Sequence, residues 1–132
     1  MRKKAVNKFD EGIYLAEELT TYADWAEYWM MELRLKLKPS SIAIYQRTLD
    51  RYVLPAFGNR NLTELTSEVI ESIGDEWAEY LRPTVIHTNL SLLNRSLKAA
   101  VVQELLTENP CQDVNRVLFN SVRFKKVPLF GK

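Results

Sequence analysis

An all-α fold, a compact four-helix bundle, is what this sequence predicts, and three observations predict it. Apolar side chains recur at three- and four-residue spacing from Thr21 to Pro110, the period of a helix with one buried stripe. Cap and breaker residues cut that pattern into four segments. No stretch of the core alternates apolar and polar residues with the two-residue period of a half-buried strand. The 132 residues suffice for one domain with a modest core, and the 46% hydrophobic and 27% charged shares are ordinary for a globular chain.

The first helix is expected over roughly 22–36. Thr21, with Asp24 three positions on, supplies a capping-box-like start, and Trp25, Tyr28, Trp29, Leu33 and Leu37 form the buried stripe. The second opens at Ser40 or Ser41, just after Pro39, with Ile42, Tyr45, Leu49 and Tyr52 or Val53 as its stripe. Pro55, which has no amide to donate, and Gly58 should end it near Leu54. Leu62 and Leu65 pack down from a connector. Thr66 or Ser67 caps the third helix, striped by Val69, Ile70, Ile73, Trp77 and Leu81 and weakened by Gly74, which costs about 1 kcal/mol against alanine. Pro83 starts the fourth, expected over roughly 84–106. Its stripe is Ile86, Leu90, Leu93, Leu97, Ala100, Val101 and Leu105, closed by Thr107 to Pro110. Residues 1–20 read as an N-terminal lead, 21–110 as the domain and 111–132 as a basic linker or tail.

Several function classes are excluded. No apolar run approaches a membrane span, and the single cysteine, Cys111, allows no internal disulfide and suits a reducing cytoplasm. His87 is the only histidine, with no cysteine near it to share a metal; the four glycines at 12, 58, 74 and 131 build no phosphate loop. No cofactor is implied, and nothing supports an enzyme acting alone. The carboxylates Asp75, Glu76 and Glu79 fit a solvated helix face.

Charge is uneven behind a net +1: residues 1–60 carry ten Lys/Arg against eight Asp/Glu, residues 61–110 three against eight, residues 111–132 five against one. An anionic partner would therefore meet particular faces rather than the whole surface. Two faces stand out. On the fourth helix His87, Ser91, Asn94, Arg95 and Lys98 share one side away from the leucines, a side almost free of carboxylates. On the second, Lys38, Ser40, Ser41, Arg47 and Arg51 gather at the N-terminus and one flank, where free amides also favour an anion. Hydroxyls and amides among cations suit phosphate and base-edge contacts. Periodicity alone leaves open whether these are such contacts or ordinary solvated faces. Trp25, Trp29, Trp77, Tyr45 and Tyr52 are read as packing.

The order of "TYADWAEYWM", "KPSSIAIYQRTLDRYVLPAFGNRNLTELTSEVIESI" and "PTVIHTNLSLLNRSLKAAVVQELLTENP" resembles the core-binding domain of phage integrases, within the tyrosine recombinase family, over Thr21 to Pro110. The resemblance implies a SAM-like four-helix bundle that grips one side of a recombination site in double-stranded DNA. A linked catalytic domain would grip the other side. It implies DNA-facing positions at Lys38, Ser40, Ser41, Ile44, Thr84, His87, Thr88, Ser91, Asn94 and Arg95, with Ile44 placed to touch a thymine methyl. Arg116, Arg123, Lys125 and Lys126 would assist.

Two departures qualify it. His87, Thr88 and Asn89 stand where family members often carry arginine or lysine. The catalytic set of arginine, lysine, His-x-x-Arg and nucleophilic tyrosine is also missing, since Leu90 follows His87 at the third position. The chain is accordingly expected to be an excised domain or truncated product that binds DNA without cleaving it, monomeric alone and meeting other integrase protomers in the full-length protein. A helical protein-interaction module, or a regulator derived from a truncated integrase, is the alternative.

Overall fold

The computed structural model describes residues 21–112. The lead at 1–20 and the basic positions Arg116, Arg123, Lys125 and Lys126 lie outside the described residues. Four helices follow one another: α1 (Tyr22–Leu33); α2, a rod of three consecutive pieces (Pro39–Thr48, Leu49–Val53 and Leu54–Phe57); α3 (Ser67–Ala78); and α4 (Pro83–Val102). A 3-10 turn, Leu62–Glu64, joins α2 to α3. Among the described residues there is no strand, only an isolated bridge between Thr21 and Asn61. The class is all-α, and no described helix is long and apolar enough to cross a membrane.

The start of α1 shows how its ends are satisfied. Thr21 Oγ1 accepts from the Asp24 amide at 3.2 Å, as the sequence predicts. The Tyr22 and Ala23 amides, which no helical carbonyl can reach, donate to Arg60 O at 2.8 Å and Gly58 O at 3.0 Å. The loop after α2 thereby caps α1. Gly58 is required there, because a Cβ would sit 2.6 Å from the Leu54 carbonyl oxygen. α1 closes at Leu33, about one turn earlier than its stripe suggests, and Arg34 to Leu37 continue as turns.

α2 departs most from expectation. It begins one residue earlier, with Pro39 in its first turn and Lys38 as an N-cap that makes no side-chain cap bond. It also runs through Pro55 to Phe57. Leu49–Val53 form a π-helical turn, and the Leu54 amide reaches back to Leu49 O. The wider turn makes room for a ring that would strike the carbonyl four residues earlier in a regular helix. Pro55 then sits at the start of the last piece, where its missing amide costs little.

Thr66 caps α3 as expected, its Oγ1 accepting from Val69 N at 3.2 Å. Pro83 occupies the first turn of α4. α4 stops at Val102 rather than near 106, because Glu104 turns left-handed at φ 66°. Its amide bonds Val101 O, and the Leu105 amide bonds Ala100 O, which closes the helix in a Schellman motif.

Trp25, Trp29 and Trp77 are buried as predicted, and Phe57 meets Trp77 edge-on at 6.0 Å. Leu62 and Leu65 pack into the same core. Three polar residues of the core were not expected: Thr48, Asn89 and Ser96. Ser96 is a junction. Tyr22 Oη and Ser96 Oγ lie 2.7 Å apart, Trp25 Nε1 donates to Ser96 O at 2.7 Å, and Ser96 Oγ also bonds Leu93 O at 2.8 Å. Burial pushes the Tyr22 phenol well above its ordinary pKa, and the bond to Ser96 offsets part of that. Asn89 is the opposite case, since neither Nδ2 nor Oδ1 has a hydrogen-bond partner among the described residues.

Two stability predictions follow from these residues. Ser96→Ala leaves the Tyr22 hydroxyl buried and unpaired, and urea denaturation should show a loss of about 1–3 kcal/mol. Asn89→Leu removes an unpaired amide while keeping four side-chain heavy atoms. It should stabilise the fold by about 1–2 kcal/mol, and a destabilised variant would show that the amide is satisfied in solution.

Candidate functional site

The outward sides of α2 and α4 meet over a core residue. Trp29, buried on α1, stacks against Tyr45 of α2 with ring centroids 6.2 Å apart and planes tilted by 21°. The far edge of that ring carries the Tyr45 hydroxyl, which accepts from Arg95 Nη1 of α4 at 2.8 Å. Arg95 Cζ lies 5.9 Å from the ring centroid, at the outer limit for a cation–π contact, so the hydrogen bond is the main tie. Beside this pair lies a shallow cleft of about 190 Å³. α2 lines it with Ile44, Tyr45 and Thr48; α4 lines it with His87, Thr88, Ser91, Leu92 and Arg95.

No lining residue is a carboxylate, and no carboxylate among the described residues pairs with Arg95. The acidic side chains of the middle segment sit elsewhere, with Glu68, Asp75, Glu76 and Glu79 exposed on or just beyond α3. The cleft therefore combines one cation, hydroxyl groups and an apolar contact point, Ile44, which is 52% exposed. Chemically that set can hold an anionic oxygen and touch an apolar group. Larger hollows lie elsewhere. One of about 640 Å³ lies between α1 and α2; another of about 500 Å³ lies between the Leu62–Ser67 connector and Leu105–Gln112. Neither is lined by a residue singled out from the sequence as DNA-facing. Among the described residues, no group of three or more His, Cys, Asp or Glu is arranged to hold a metal ion.

Five of the residues expected at an interface come together in the cleft: Ile44, His87, Thr88, Ser91 and Arg95. The others do not line it. Lys38 and Ser40 are exposed at the start of α2, with Ser41 half-buried beside them. Arg47 and Lys98 are exposed on α2 and α4. Thr84 is exposed in the first turn of α4, where its carbonyl accepts from Thr88 Oγ1 at 3.0 Å. Asn94 is half-buried and engaged: Asn109 Nδ2 donates to its Oδ1 at 2.7 Å, while Asn109 Oδ1 accepts from the Cys111 amide at 2.9 Å. That bracket ties the chain beyond α4 back onto the helix and buries Cys111.

Sequence reasoning missed Tyr45, Thr48 and Leu92 as parts of the site. Tyr45 was read as packing only, and its ring does pack. A tyrosine at the border of an apolar stripe can nevertheless bring its hydroxyl to the rim, which is the signal that would have found it.

Fold and cleft define the class first: an all-α helical domain with a cleft, lined by no carboxylate, between the outer sides of α2 and α4. Residues 21–78, from the cap of α1 to the end of α3, match the family model described as phage integrase, N-terminal SAM-like domain. This is the domain type that the sequence motifs resemble. The matched span includes the α2 side of the cleft and ends before α4. No curated protein and no solved structure gives a significant match.

Burial raises the Cys111 thiol pKa to about 12. The raised value favours the neutral thiol in the folded state, so its contribution to stability is complete below the unfolded thiol pKa near 9 and is lost as pH climbs toward 12. Alkylation by iodoacetamide at pH 8 should accordingly be slow in the native chain and fast in urea. Equal rates would mean that the bracket at Asn109 opens readily.

Proposed function

We propose that this chain is a DNA-binding core-binding domain of a site-specific tyrosine recombinase, gripping the recombination core site through the α2–α4 cleft and the exposed cations beside it. One observation carries the reading: Arg95 stands with hydroxyls and Ile44 in a carboxylate-free cleft, in a chain whose residues 21–78 match an integrase domain. Arg95 and the flanking Lys38, Arg47 and Lys98 supply phosphate contacts; Ser40, Ser41, Thr84, Thr88 and Ser91 supply hydroxyl donors; Ile44 meets a thymine methyl. The proposed role is binding; His87 is followed at the third position by Leu90, so this sequence holds no His-x-x-Arg motif.

A second reading has its own observation. Met31 is 56% and Leu35 86% exposed at the end of α1, beside the hollow between α1 and α2, which suits contact with another integrase protomer. Sedimentation at rising protein concentration distinguishes the two: a dimer indifferent to added DNA favours this surface as the main one.

The test of the first reading is titration of duplex DNA. Binding should be detectable at about 50 mM salt and weaken steeply toward about 200 mM, with a slope of about 0.9 per neutralised phosphate. Arg95→Ala should weaken binding and reduce that slope by about 1, whereas Glu76→Gln on the acidic face should not weaken it. Absence of binding at low salt overturns the reading.

A further inference from the structure

We infer that Tyr45 is a positioning residue that presents the Arg95 guanidinium, and that the two side chains together seat one backbone phosphate oxygen of the nucleic acid. The inference rests on the DNA-binding reading above and adds a role for a side chain that sequence analysis assigned to packing.

Tyr45 is held from behind. Its ring stacks on Trp29, which is only 6% exposed, so the ring plane is set by the core rather than by solvent. The hydroxyl therefore stands at a fixed point on the rim of the cleft, and Arg95 Nη1 donates to it at 2.8 Å. An exposed arginine carries large rotamer freedom, which phosphate binding would otherwise remove. Here the ordering is done before any ligand arrives, and such preorganisation strengthens binding without adding a contact.

The direction of the hydrogen bond matters equally. Arginine only donates, so the Tyr45 oxygen is the acceptor and its own O–H remains available. A guanidinium has five N–H donors, and the bond to Tyr45 commits one of them. The pair thus offers the remaining guanidinium donors and one hydroxyl donor from neighbouring points, with no carboxylate in the cleft to compete. An anionic oxygen that takes both gains charge-assisted bonds from a planar fork and from a phenol polarised by the adjacent cation. Lysine at position 95 would keep the charge but lose the fork.

The experiment is a double-mutant cycle on the full 132-residue chain, read by fluorescence anisotropy of a labelled mixed-sequence duplex at several salt concentrations. Tyr45→Phe keeps the ring on Trp29 and removes only the hydroxyl; it should weaken binding about three- to tenfold while Arg95 is present. In the Arg95→Ala background the same change should have little further effect. Arg95→Lys should bind more weakly than wild type despite its charge.

Thermal melting provides the control, since a purely structural role would lower the midpoint and weaken both backgrounds by the same factor. Binding by Tyr45→Phe equal to wild type, with Arg95→Ala still impaired, overturns the inference and leaves the DNA-binding reading standing. So does multiplication of the two single effects. Wild-type binding from Arg95→Lys overturns the paired geometry in favour of a point charge. Wild-type chain that does not bind duplex at low salt overturns the reading, and the inference with it.

Discussion

Ser96 is the residue on which the arrangement of this domain turns. Two aromatic side chains of α1 bond to it, Tyr22 through the hydroxyl and Trp25 through the indole, each at 2.7 Å and each out of reach of water. Hydrogen bonds of this kind are directional, whereas the surrounding leucines would accept a range of slides and rotations. The junction therefore fixes the register of α1 against α4. From that register the site follows. Trp29, one turn beyond Trp25, meets Tyr45; Arg95, the neighbour of Ser96, emerges at the rim where the Tyr45 hydroxyl waits. A buried pair of polar contacts thus decides where an exposed cation stands.

α2 shows a second constraint, the phase of a helix that has to pass a proline. A regular helix through Pro55 would lose an amide bond and press the ring on a carbonyl. The π-helical turn at Leu49–Val53 takes up the ring and keeps the rod going to Phe57. Leu49, Val53 and Phe57 all end fully buried, and Phe57 reaches Trp77 on α3. The extension also delivers Gly58 and Arg60 to the first amides of α1. The detour around one proline thereby joins three helices.

Much of this was legible in the sequence, and the misses have physical causes. Thr21, Thr66 and Pro83 act where a cap or a missing amide predicts, because these effects are local to one turn. The three tryptophans are buried because their area leaves few other places for them. Pro55 misled because one residue in a sequence cannot reveal that the preceding turn will widen. Ser96 and Asn89 look polar and therefore exposed; the first is buried through partners more than 70 residues away and the second without any among the described residues. Five of the positions that helical spacing and the family resemblance singled out on α2 and α4 line one cleft, because residues on one side of each helix meet where the two helices pack. The tie between Tyr45 and Arg95 spans 50 residues and leaves no periodic trace.

If the cleft binds as proposed, stability and recognition are linked in an unusual order in this domain. In many sites a loop carries the functional group and the scaffold is indifferent to it. Here the cation sits on the same helix as the core junction, one residue away, and its partner tyrosine leans on a core tryptophan. A loosened core would let the Tyr45 ring tilt and free the exposed Arg95 from its hydrogen bond. The charge would remain in place, so long-range attraction of an anion would persist. On the proposed DNA-binding reading, what would be lost is the fixed fork, and with it the distinction between a phosphate held at one point and a polyanion held anywhere along a basic surface.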